Sequence, residues 1–118
     1  MRRNRLGAYG EAIAASYLTR EAGMLVLERN WRCSHGELDL VLRDGRVLVA
    51  CEVKTRAGLS KGAPLEAVTP AKLERIKILI ETWRGQHGIG ARELRIDLVG
   101  VLLSHGAITR IDHVRGVG

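Results

Sequence analysis

Read for the spacing of its apolar positions, the chain switches between a period near 3.6 and a period of two. Leu6, Tyr9, Gly10, Ile13, Ala14, Tyr17 and Leu18 share one arc of a helical wheel, predicting a helix from Leu6 to about Ala22 that Gly23 ends. Met24–Asn30 reads as a first strand and residues 31–35 as a connection. Two aliphatic runs follow, Glu37–Arg43 and Arg46–Lys54. Asp44-Gly45 lies between them, a pair that supplies the positive φ angles of a tight hairpin turn. Residues 55–69 read as a long loop. Thr69-Pro70 is an N-cap followed by proline at the first helical position, opening a second helix to about Arg84. Its core stripe is Leu73, Ile76, Leu79, Ile80 and Trp83. After a glycine-rich turn over 85–93, Leu94–Leu103 and Ala107–Val114 read as the last strands. The order α-β-β-β-α-β-β predicts an α/β fold with one mixed central sheet flanked by helices.

The hairpin carries an anomaly. With the tightest turn, Arg43 faces Arg46, Val41 faces Leu48, Asp39 faces Ala50 and Glu37 faces Glu52. Alternation then gathers Leu38, Leu40, Leu42, Val47, Val49, Cys51 and Val53 on one face, all apolar. The other face holds Glu37, Asp39, Val41, Leu48, Ala50, Glu52 and Lys54. Charged groups among aliphatic neighbours are costly unless paired or bound to a metal. In this register Asp39 and Glu52 are diagonal neighbours, roughly 7–8 Å apart at the backbone, with small Ala50 leaving room beside them. Two carboxylates with Lys54 alongside fit a hard, oxygen-preferring cation. An ion-pair ladder on a solvated sheet face fits less well, because the rest of the hairpin is aliphatic on both faces.

Other polar residues gather around this pair. Glu11 falls at the border of the first helix's apolar arc, beside Gly7, Ala14 and Ala15. Such small neighbours let a carboxylate reach over the sheet edge; a solvated first turn is the equally weighted reading. Arg29 and Arg32 are expected close to the acidic face, and the long loop brings Arg56 and Lys61 toward substrate. Lys72 lies within the second helix's apolar arc, so its head either emerges at the helix start or pairs with an acid. Asp97, interrupting an aliphatic strand, is expected to form a structural salt bridge. Ile78 falls outside the core stripe and marks a candidate self-association surface.

Composition narrows the class. The chain has 118 residues, read as a single domain over 1–118, and no apolar run approaches a membrane span. The basic N-terminus lacks the apolar segment of a secretory leader, and two cysteines are too few for a disulfide framework, which together point to the cytoplasm. Cys33 and His35 lack a second ligand pair at zinc spacing, and His35-Gly36-Glu37 has no downstream Pro-Cys-x-x-Cys, which excludes a zinc deaminase. A net charge of +6 favours a polyanionic partner, nucleic acid first. At 3% aromatic residues and no Phe, base-stacking platforms for single strands are disfavoured.

Asp39…Glu52-Val53-Lys54 on a hairpin, after a helix carrying Glu11, resembles the PD-(D/E)XK nuclease superfamily of restriction-endonuclease-like folds. Leu38 stands where that superfamily's name has proline. More closely, nearly the whole chain is similar to the YraN family of small bacterial proteins. The matching segments are Gly7-Ala-Tyr-Gly-Glu-Ala-Ile-Ala-Ala-Ser-Tyr-Leu18, Arg29-Asn30, Gly36-Glu-Leu-Asp-Leu-Val41, Glu52-Val-Lys-Thr-Arg56, Ala67-Val68 with Lys72, and Arg95-Ile-Asp97. The resemblance implies a Mg²⁺- or Mn²⁺-dependent DNA endonuclease, with structure-specific, Holliday-junction-resolvase-like cleavage and a homodimer among its expectations. Asp39, Glu52 and the Val53 carbonyl would hold the metal. Lys54 would act on the attacking water, and Glu37 and Glu11 would support this metal position or a second one. Arg56, Lys61, Lys72, Arg29 and Arg32 would meet nucleic acid. The competing expectation is a catalytically silent nucleic-acid-binding or assembly module of the same fold, and charge alone does not separate DNA from RNA.

Overall fold

The computed structural model describes residues 5–58, 68–90 and 93–117. In chain order they form α1 (Arg5–Arg20), β1 (Leu25–Cys33), β2 (Gly36–Asp44), β3 (Val47–Ala57), α2 (Pro70–Gln86), β4 (Glu93–Ser104) and β5 (Ala107–Val114). The strands make one mixed five-stranded sheet in the order β1-β2-β3-β4-β5. Only the β3–β4 pair is parallel, and α2 lies in the connection between those two strands, as the element order predicts.

The helices take opposite faces of the sheet. Ala14, Ala15 and Leu18 of α1 pack with Leu40, Leu42, Val49, Cys51, Val99, Val101 and Leu103. Ile76, Leu79, Ile80 and Trp83 of α2 pack with Trp31, Leu38, Val41, Leu48, Ala50 and Ile96. Gly23 ends α1 at φ 70°, letting the Met24 N–H donate to the Leu18 carbonyl at 2.9 Å. Thr69 caps α2 by accepting from the Lys72 N–H at 3.1 Å, and Trp83 Nε1 donates to Glu28 across to β1 at 2.7 Å. No helix among the described residues is long and apolar enough to cross a membrane.

Four expectations are corrected. The hairpin register is displaced by two residues, pairing Asp44 with Val47, Arg43 with Leu48, Val41 with Ala50 and Leu40 with Cys51. The turn is therefore Gly45-Arg46, with Gly45 at φ 62°. An even displacement keeps most side chains on their faces, but Asp39 no longer faces Ala50, and Ala50 fills the α2 core instead of leaving a gap. β1 continues to Cys33, so Trp31 is a buried strand residue and not part of a connection. β3 runs to Ala57, which places Thr55 and Arg56 in a strand; Lys61 lies outside the described residues.

The fourth correction has a local cause. Leu38 packs on the α2 side although Leu40, of the same parity, packs on the α1 side. On β1 the same switch separates Arg29, opposite Leu40, from Trp31, opposite Leu38. Between them Asn30 has φ 52°, the left-handed region that asparagine tolerates better than most residues. One residue rotates the strand pair. Asp39 sits opposite it, at the centre of the rotation.

Candidate active site

Backbone pairing between β2 and β3 stops at Leu40–Cys51. Beyond that point β2 stays with β1 as far as Gly36, while β3 stays with β4 as far as Ala57. The strands fork, and the groups that would have continued their ladder need other partners. Asp39 and Glu52 supply them. The Val53 N–H donates to Asp39 Oδ2 at 2.8 Å, and the Asp39 N–H donates to Glu52 Oε2 at 3.3 Å. Each carboxylate thus bridges to the other strand, which fixes both at the mouth of the fork. The N–H and C=O of a strand residue point toward the same neighbour, so the Val53 carbonyl also faces the fork.

Glu11 completes the cluster from the other layer. An added Cβ at Gly10 would lie 2.8 Å from Thr55 Cβ, so only glycine lets α1 come this close to β3. That approach brings Glu11 to the fork, where its carboxyl hydrogen-bonds to Asp39. A bond between two carboxyls needs a proton on one of them. Lys54 and Lys72 act from the other direction, and the charge of Lys72 at the start of α2 is felt by Asp39, Glu52 and Lys54 alike.

The electrostatics follow from crowding of carboxylates in a half-buried fork. Burial raises the Asp39 carboxyl above its ordinary value, with the Val53 N–H opposing and the charge of Glu37 assisting. Glu52 is pushed up to about 8, first by burial and then by the charge of Asp39. The Lys54 ammonium is lowered by burial and by the positive charges of Arg56 and Lys72, against the pull of Asp39. Among the described residues no three His, Cys, Asp or Glu side chains form a ready-made ligand shell. Asp39, Glu52 and the Val53 carbonyl offer the oxygen donors of a cation that keeps several waters, the habit of Mg²⁺.

The remaining expected residues divide. Glu37 is half-exposed and pairs with Arg32 at 3.0 Å, reaching the site through its charge. Arg29, opposite Leu40, stands on the α1 side of β1, away from the acid pair. Lys72 is exposed at the start of α2, the first of the two placements expected for it. Asn30 was not anticipated, although an asparagine within a strand run is a recognisable irregularity. Asp97 is fully buried and holds Arg95, His113 and the Gly116 N–H at 2.8–3.1 Å, the structural ion pair expected of it.

Set beside known proteins, residues 10–101 match the model of Uncharacterised protein family UPF0102. A UPF0102 protein of Streptomyces coelicolor is 55% identical over 118 residues, covering 98% of this chain and 89% of the relative. One from Nocardioides sp. is 54% identical over 113 residues, covering 96% and 90%, and one from Beutenbergia cavernae is 53% identical, covering 96% and 95%. The chain belongs to the UPF0102 family, the family read from its sequence as YraN.

Proposed function

We propose that this protein is a divalent-cation-dependent phosphodiesterase that cuts DNA, related to the PD-(D/E)XK nucleases. The supporting observation is the fork itself: Asp39 and Glu52 are locked by backbone donors from opposite strands, with Lys54 one pleat further along β3. Asp39, Glu52 and the Val53 carbonyl would hold Mg²⁺ or Mn²⁺, which when bound would polarise a phosphate oxygen and lower the pKa of a bound water. The protein's own groups do the rest. Asp39 and Glu52 hold their geometry before substrate arrives, because each is tied to the other strand, which limits reorganisation during reaction. Lys54, its pKa lowered, is suited to orient the water, take its proton, and offset charge developing on the phosphate. Glu11, hydrogen-bonded to Asp39, would support the same metal position from α1.

The test offers supercoiled, linear, single-stranded and four-way-junction DNA in Mg²⁺ or Mn²⁺ to the wild type and to Lys54→Ala. Cleavage by the wild type alone supports the reading. Binding without cleavage, unaffected by Asp39→Asn or Glu52→Gln, assigns the chain to a silent nucleic-acid-binding module instead.

A further inference from the structure

Beyond the acid pair, the face that carries Glu52 and Lys54 continues across three strands. The parallel register sets Lys54 beside Gly100 and Arg56 beside Leu102, and the antiparallel register sets Gly100 beside Asp112 and Leu102 beside Arg110. Paired residues share a face, so Arg56, Leu102 and Arg110 form one row. The packing of α2 on this face ends at Ala50 and Ile96 and does not include the row. Neighbouring strands are about 4.8 Å apart, which puts Arg56 and Arg110 about 10 Å apart at the backbone. That span matches the axial rise of about three nucleotides at ~3.4 Å each.

Arg110 is set for an external partner. Its side chain is 63% exposed, and its bond to Asp112 runs through Nε at 2.9 Å. Held at Nε, the guanidinium has a fixed direction and presents its terminal nitrogens outward, the geometry suited to a phosphate. Asp112 is thereby neutralised by the residue it positions. Ordinary strand alternation puts arginines on sheet faces with no partner in view. Here the row starts two residues beyond Lys54 and leads directly away from the fork.

We propose that Arg56 and Arg110 form a phosphate-binding row that carries the DNA backbone from the acid pair across β3, β4 and β5. This rests on the reading of the fork as a DNA-cutting site. The test is binding of fluorescently labelled duplex DNA by anisotropy in EDTA over a NaCl series, with wild type, Arg56→Ala, Arg110→Ala and, as a control from α1, Arg20→Ala. Each phosphate contact contributes about 0.9 to the slope of log affinity against log salt. Arg56→Ala and Arg110→Ala should each make that slope shallower by about one, with Arg20→Ala unchanged. Wild-type binding with an unaltered slope in Arg110→Ala overturns the row and leaves the fork intact. No binding by the wild type, with or without Mg²⁺, overturns the DNA reading and the row with it.

Discussion

Glu52 concentrates the conflict between burial and charge. Its carboxyl titrates near 4.5 when free of the fold and near 8 within it. Over that window the folded chain keeps a proton that the unfolded chain has released, so stability is complete below the lower value and falls as pH rises through the upper one. Urea midpoints measured in EDTA between about pH 5 and about pH 9 should therefore decline, and Glu52→Gln should flatten the decline. Mg²⁺ or Mn²⁺ should oppose it by binding the folded, ionised site. A second residue-scale prediction concerns Gly10, where any Cβ collides with Thr55. Gly10→Ala should cost about 1–3 kcal/mol through overpacking. By pushing α1 off β3 it should also lower any Mn²⁺ affinity, checked by denaturation and calorimetric titration.

Among the elements, the β1–β2 pair shows how a single backbone angle places a side chain. Asn30→Gly should be nearly neutral, because glycine accepts positive φ, whereas Asn30→Val should cost about 1–2 kcal/mol or more and misplace Asp39. Thermal melts of the two variants distinguish these outcomes. The same residue explains why the fork was only partly legible in the sequence. Period-two alternation brought Asp39 and Glu52 together on the hairpin, because parity survives an even change of register. It could not choose between Asp44-Gly45 and Gly45-Arg46 as the turn, since glycine serves at either position of a two-residue loop. It also sent Leu38 to the wrong face, because alternation assumes an unbroken twist and Asn30 breaks it. Glu11 was readable only as a carboxylate among small residues; its reach to Asp39 depends on a glycine contact made across two layers.

At the scale of the molecule, the acid pair and the main buried ion pair sit in different parts of the sheet. The fork lies where β2 leaves β3, while Asp97 ties β4, β5 and the following residues together, accepting from Arg95, His113 and the Gly116 N–H. Burial would raise the Asp97 carboxyl, but those hydrogen bonds outweigh it and hold it below its ordinary 3.8. Its contribution is therefore full above that value and lost as pH falls through the folded one. Asp97→Ala, which leaves Arg95 with Asp44 alone and the buried His113 side chain without its partner, should cost about 1–3 kcal/mol in denaturant titrations and leave the fork's geometry intact. The fork gathers Glu11, Asp39 and Glu52, with burial raising the last two carboxyls, and the charges of Lys54 and Lys72 act on it. On the proposed function, that distribution of charge would be met by a divalent cation and a phosphodiester. The most direct measurement is DNA cleavage by wild type and Lys54→Ala, purified in parallel and assayed with Mg²⁺, with Mn²⁺ and with EDTA. Wild-type protein should cleave in a reaction that EDTA abolishes and that Lys54→Ala lowers by at least about 10²-fold, the scale of a lost proton-transfer group. Equal cleavage by the two proteins, or none by either on any of the four DNA forms, would contradict the proposed function.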